Sequence, residues 1–230
     1  MALTINNDTA IHEAGHCIIS YLATDLFEIK FVTANKNVSK TEDRTSIGGL
    51  SGSLKKEVDT LTFEDHDLMV LICLAGMAAD DVNHSDCQLT EQLYDNRLFA
   101  TKMTSNKYSG DCQLFLPHIQ RVMPHLSIKQ RPYTISCQRL LHEIFSNQVI
   151  TPILIDLRNQ ISNSPNQTLV SHEIIAFLDK TELKNWRENE WREILTSRIS
   201  EIKKKSISDI LLKYWRSCWQ KIFDSKFKTS

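Results

Sequence analysis

The sequence predicts a mainly α-helical protein with a small β element, an α+β fold. Only six glycines and five prolines interrupt the 230 residues, which favours long helices. Apolar residues recur at helical spacing through most of the chain, whereas the clearest alternating pattern of β-forming residues is confined to 26–34. With 41% hydrophobic and 24% charged residues, the composition is that of an ordinary globular protein.

The first third of the chain is predicted to contain two helices flanking the β element. Polar capping residues precede an apolar helical pattern over 9–23, and the strand at 26–34 follows. Polar residues without periodicity predict a loop over 35–46. The segment IGGLSGSL at 47–54 is predicted to be an extended edge segment, because its glycines allow another backbone to approach closely. A long apolar helix is predicted over 62–82.

The rest of the chain is predicted to be helical, apart from a turn at NSPNQT (163–168). The predicted helices are 88–104, 111–123, 133–147, 150–160, 169–180, 182–202 and 206–223.

Charge divides the chain into two predicted parts, a domain over 1–180 and a helical extension over 181–230. The first part holds 15 Lys and Arg against 21 Asp and Glu, whereas the second holds 12 against 7 and all four tryptophans. The extension is therefore basic and Trp-rich.

Whole-chain features indicate a reducing compartment, most simply the cytoplasm. The six cysteines form no C-x-x-C pair, no signal peptide is evident, and no apolar run of transmembrane length occurs. The net charge of −1 gives no reason to expect a nucleic-acid partner.

One motif in the first predicted helix carries chemistry, namely HEAGH at residues 12–16. Residues four apart share a helical face, so His12 and His16 can bind one metal ion. Zinc held in this way lowers the pKa of a bound water to about 7. Glu13, which is not a ligand, is placed to act as general base and then to return the proton to a leaving amine.

Chance does not readily produce this motif. The histidine and glutamate content gives roughly 0.01–0.02 accidental matches per chain. The chain also contains a control, because His142-Glu143 and His172-Glu173 lack a second histidine four residues after the first. The alternative for residues 12–16 is an amphipathic helix with solvated polar residues.

A catalytic zinc site needs a third protein ligand and an open position for water. Spacing alone does not choose among the candidates, which are Asp80, Asp81, His84, Asp86, Glu91, Asp95, Asp111 and His118.

HEAGH and four later segments resemble the peptidase domain of FtsH-type AAA zinc metalloproteases. Ile47-Gly48-Gly49 is similar to the glycine-containing edge segment of that family, and LAGMAAD at 74–80 to its L-A-G-R-A-A-E helix. Ser109-Gly110-Asp111 is similar to its glycine turn, and LVSHEIIAFL at 169–178 to its late T-L-x-x-x-E-I segment. The resemblance runs in order over about residues 8–180.

The resemblance implies a helical zinc-peptidase domain in which Asp111 is the third zinc ligand. It also implies that the edge segment containing Ile47, Gly48, Gly49 and Leu50 binds substrate. The chain departs from the family pattern by a shorter turn before Asp111, by Cys112 in place of leucine, and by Met77 in place of arginine.

The resemblance does not extend to an ATPase module or a membrane anchor. HEAGH begins eleven residues after Met1, and no glycine precedes Lys-Ser or Lys-Thr, so the sequence shows no P-loop. We therefore expect an ATP-independent zinc endopeptidase that hydrolyses flexible or unfolded polypeptides. The alternative is a catalytically inactive relative that acts as a polypeptide-binding or regulatory module.

The predicted helix 206–223 gathers apolar and aromatic residues on one face and basic residues elsewhere. Such a helix packs on the domain, or provides a docking surface for a separate ATPase or for an acidic membrane. Oligomerisation is compatible with either arrangement.

Overall fold

A long helix at the centre of the structure organises the fold. The computed structural model describes residues 7–35, 49–83, 109–122, 127–189, 191–192 and 195–204. Within these residues the protein is mainly helical with a small three-stranded sheet, as the sequence predicts. Helix α2 (Phe63–Asn83) is buried on all sides from Asp65 to Asp81, as expected for a helix enclosed by other elements.

Helix α1 (Asn7–Leu22), which carries HEAGH, packs against α2. At their crossing, a β-carbon on Gly15 would lie 2.6 Å from Ala79 Cβ and 2.7 Å from the Ala75 carbonyl oxygen. Only glycine permits this approach, so small residues on both helices bring the HEAGH segment against α2.

The sheet has the order β2–β1–β3 and is antiparallel throughout. Strand β1 (Phe27–Thr33) lies in the middle, between β2 (Leu50–Leu54) and β3 (Thr168–Val170). The predicted edge position of the 47–54 segment is confirmed for β2, while Ile47 and Gly48 lie outside the described residues.

Strand β3 corrects the sequence analysis, which predicted that the turn ran to residue 168 and that a helix began at 169. Thr168 to Val170 instead pair with Thr33 to Phe31 of β1, and the helix starts at Ser171. Three residues are too few to display an alternating pattern, and their pairing partner lies far away in the sequence.

The remaining helices follow the predicted order with shifted ends. They are α3 (Ser109–Val122), α4 (Ser127–Phe145), α5 (Ile150–Asn163), α6 (Ser171–Leu178), α7 (Leu183–Asn189) and α8 (residues 195–204). The single helix predicted over 182–202 corresponds to α7, the helical residues 191–192 and α8. Helix α4 starts earlier than predicted and contains Pro132 near its N-terminus. The segments predicted as helices 88–104 and 206–223 lie outside the described residues.

The described part of the C-terminal extension packs on the same core as the rest of the protein. Leu183, Trp191, Leu195 and Ile199 are all buried in that core. In α8, Lys203 donates a hydrogen bond of 2.5 Å to the buried Asp67 carboxylate of α2. The boundary at residue 180 stays a prediction.

None of the described helices is both long enough and apolar enough to cross a bilayer.

Candidate metal centre

His12 and His16 project from the same face of α1, as the i, i+4 spacing requires. Both side chains are buried, with 7% and 0% of their surfaces exposed. Their rings meet edge to face with centroids 4.8 Å apart, and the two Nε2 atoms are separated by 3.1 Å. Two imidazole nitrogens therefore point at one position inside the protein.

Asp111, in the first turn of α3, supplies a carboxylate to the same position. Its Oδ2 lies 3.0 Å from His12 Nε2, and its Oδ1 lies 3.6 Å from His16 Nε2. Among the described residues, these three form the one group of three or more metal-ligating side chains with mutually close ligand atoms. Ligand atoms of a tetrahedral zinc are about 3.3 Å apart at ordinary bond lengths, and separations of 3.0 and 3.6 Å leave room for a metal ion of that size.

Contacts on the far side of each ring orient the two histidines. His16 Nδ1 lies 2.7 Å from the Ile72 carbonyl oxygen, which only accepts, so Nδ1 donates and Nε2 is the ring nitrogen that faces the ligand group. His12 Nδ1 lies 3.1 Å from Asp80 Oδ2, which fixes the same orientation. Such outer partners set the tautomer of metal-binding histidines.

Gly76 of α2 makes room for both rings. A β-carbon at Gly76 would lie 2.4 Å from His12 Nε2 and 2.5 Å from His16 Nε2, which is closer than atoms can pack. Any side chain at this position would displace the two ligands.

The buried carboxylate of Glu13 stands beside the ligand group with 3% of its surface exposed. Burial raises its pKa, while the neighbouring histidines and a hydrogen bond from the Gly49 amide act in the opposite direction. Within the described structure, Glu13 Oε2 has no hydrogen-bond partner. A buried acceptor of this kind is suited to receive a proton from a water molecule.

Electrostatics at the three ligands favour a cation between them. Burial lowers the pKa of His12, but the Asp111 and Asp80 carboxylates outweigh it and raise this pKa to about 10. Burial alone would raise the pKa of Asp111, yet His16 and His12 hold it well below its usual range. The metal-free site thus retains a proton where a metal ion would supply positive charge.

Among the predicted third ligands, Asp111 is the one that joins the histidine pair. Asp80 contacts His12 on the side away from the ligand group, Asp81 is buried elsewhere on α2, and His118 contacts His66. The other candidates, His84, Asp86, Glu91 and Asp95, lie outside the described residues.

Sequence reasoning missed three parts of the site. The carbonyl of Ile72 has no sequence signature, because every residue carries one. The sequence predicts Asp80 as a candidate ligand, although it orients a ligand instead, and it gives Gly76 no role beyond its place in LAGMAAD. A prediction that LAGMAAD packs against HEAGH would have identified the roles of Asp80 and Gly76.

The two other His-Glu pairs have different partners. His142 lies 3.4 Å from Ser146 Oγ, and Glu143 accepts a hydrogen bond from Arg198. Glu173 accepts a hydrogen bond from the amide of Val170 at the start of α6. These contacts are those of ordinary helix residues.

The chain matches no protein-family model, no curated protein and no solved structure. The residues of the site and their geometry are therefore the observations that bear on function.

Proposed function

We propose that this protein is a zinc-dependent endopeptidase that hydrolyses peptide bonds in flexible or unfolded polypeptides without an ATPase of its own. We further propose that residues 1–180 form a peptidase domain of the FtsH type. The observation that carries the proposal is the meeting of His12, His16 and Asp111 beside Glu13, whose Oε2 is buried without a partner in the described structure.

His12 Nε2, His16 Nε2 and one Asp111 oxygen would hold the zinc. A zinc ion held there would supply Lewis acidity, which polarises a water molecule and the carbonyl of the scissile bond. Asp80 and the Ile72 carbonyl keep the two histidine rings turned toward this position.

Glu13 moves the proton in the proposed reaction. Its Oε2 accepts a proton as the water oxygen bonds to the peptide carbonyl carbon, and the proton then passes to the amide nitrogen as the carbon–nitrogen bond breaks. The immediate products are a carboxylic acid and an amine, which exchange a proton to become a carboxylate and an ammonium group, so atoms and charges balance.

The edge strand β2 supplies a surface for an extended substrate. One side of β2 pairs with β1, and no described strand pairs with its other side. The strand begins next to Gly49, whose amide contacts Glu13, so a peptide added to this edge would approach the proposed base. Backbone pairing of this kind makes little demand on sequence, which suits unfolded substrates.

Cleavage of an unfolded polypeptide tests the proposal. The purified protein should cleave a denatured, casein-like substrate without ATP, and the same cleavage should stop with a chelator and resume with zinc. A stably folded substrate should resist, since nothing in the described structure could pull it open. A zinc-loaded protein that binds unfolded polypeptide but never cleaves it would replace this proposal with the binding-module alternative.

A further inference from the structure

A second pair of histidines lies away from the HEAGH motif. His66 near the start of α2 and His118 in α3 approach with their Nδ1 atoms 2.8 Å apart. Their ring centroids are 5.1 Å apart and the planes are inclined by 48°. His66 is buried, with 6% of its surface exposed, and His118 is partly buried.

Both rings are held in the neutral form. Burial lowers the pKa of His118 to about 4, with His66 acting in the same direction. Burial also lowers the pKa of His66, aided by Arg121 and opposed by Asp65 and Asp67. Neutral imidazole is the form that binds metal ions.

In the neutral pair, one Nδ1 atom carries the hydrogen and donates it to the other Nδ1 atom, which accepts. If that hydrogen moves to the Nε2 atom of its own ring, both Nδ1 atoms present lone pairs to one point. A transition-metal ion at that point would satisfy both lone pairs without requiring a proton to leave the protein.

Open space beside His66 gives water access to one ring of the pair. A cavity of about 430 Å³ opens there, and Asp59 and Thr62 contribute oxygen-bearing side chains to its lining. Arg121 lines the same cavity and opposes a bound dication. With two protein nitrogens and an opposing guanidinium, this position should bind zinc more weakly than the three-ligand centre does.

We propose that His66 and His118 form a second, weaker zinc site, completed by water, that bridges α2 and α3. Helix α2 carries Gly76 and Asp80, and α3 carries Asp111, so the same two helices flank both positions. His118 follows Asp111 by seven residues, which places it about 10 Å further along α3 on the same face. The second ion would clamp the helix that holds the third ligand.

A zinc titration with alanine variants tests this site independently of peptidase activity. Calorimetry with zinc alone should show two equivalents in the parent protein, the second at least tenfold weaker. His66→Ala and His118→Ala should each lose the weaker zinc equivalent and keep the tighter one. His12→Ala should lose the tighter equivalent and keep the weaker one. His172→Ala, at an exposed histidine of α6, is the matched control and should keep both.

Thermal melting provides a second measurement. Raising zinc from one equivalent to several should raise the melting temperature of the parent but not of His118→Gln, a variant chosen to retain much of the side-chain volume. If an alanine variant fails to fold by circular dichroism, His66→Asn takes its place in the titration. A single equivalent in the parent, or a weaker equivalent that survives both His66 and His118 substitutions, would overturn the second site. A tighter equivalent that survives His12→Ala would instead count against the proposed catalytic centre.

Discussion

His12 and Asp80 form a buried pair in which the ring nitrogen Nδ1 lies 3.1 Å from the carboxylate oxygen Oδ2, on the side of the ring opposite Asp111. A carboxylate behind a metal-binding histidine fixes the ring and increases its basicity. The proposed metal centre would therefore include a residue that does not touch the metal.

Replacing Asp80 should weaken zinc binding without abolishing it. Loss of such an outer partner typically costs 10–100-fold in metal affinity. We expect about tenfold for Asp80→Asn, which still accepts from Nδ1, and about 100-fold for Asp80→Ala. Competition with a chromophoric chelator measures both values. Asp156→Asn, at an exposed position of α5, should bind zinc as the parent does.

Removing a proposed ligand should abolish the tighter zinc equivalent. His12→Ala, His16→Ala and Asp111→Ala each leave two protein ligands, fewer than the three that hold a catalytic zinc. Elemental analysis after dialysis gives the zinc content, and His142→Ala serves as the control. Zinc held as tightly by Asp111→Ala as by the parent would show that Asp111 is not the third ligand.

Glu13→Gln should separate zinc binding from turnover. Glutamine keeps the size of the side chain but cannot accept a proton, and general-base catalysis typically contributes 10²–10⁴-fold. We expect full zinc content and a drop of that order in kcat on an unfolded substrate. A variant with parental turnover would remove Glu13 from the mechanism.

Gly49→Ala should impair cleavage while leaving the zinc ligands in place. An added β-carbon would lie 2.0 Å from the Thr33 carbonyl oxygen and 3.0 Å from Glu13 Cδ, so the start of β2 must shift away from the base. We expect at least a tenfold loss of kcat/KM with unchanged zinc content. Parental cleavage would mean that the contact between Gly49 and Glu13 is dispensable.

The histidine pair of the proposed metal centre could be predicted from the sequence alone. His12 and His16 are four residues apart, so a helix alone places them on one face, independently of tertiary contacts. Asp111 is 99 residues from His12, and only a family resemblance selected it from eight candidates. Strand β3 and the Ile72 contact depend on tertiary packing that no local pattern encodes.

His118 should make the metal-free protein less stable in mild acid. Its pKa in the folded protein is lowered to about 4, whereas an unfolded histidine titrates near 6.5. Between these values the unfolded chain binds a proton that the folded protein does not, so unfolding becomes easier as pH falls through this window and levels off below it.

Thermal melts at pH 7, 5.5 and 4.5 with a chelator measure this effect. His118→Gln should lose less of its melting temperature over this range than the parent, and His172→Gln should behave as the parent. Equal acid sensitivity in all three proteins would show that His118 remains protonatable in the fold.

Because Asp111 is far from the HEAGH helix along the sequence, the proposed metal ligands are not synthesised at the same time. During synthesis the histidines emerge first, and at about 5–20 residues per second the aspartate follows roughly 5–20 s later. Until α3 packs against α2, the proposed metal centre lacks its third ligand, so the growing chain would not yet be able to hydrolyse peptides at this centre. The proposed hydrolytic centre would therefore be assembled only after residue 111 has been made and α3 has packed against α2.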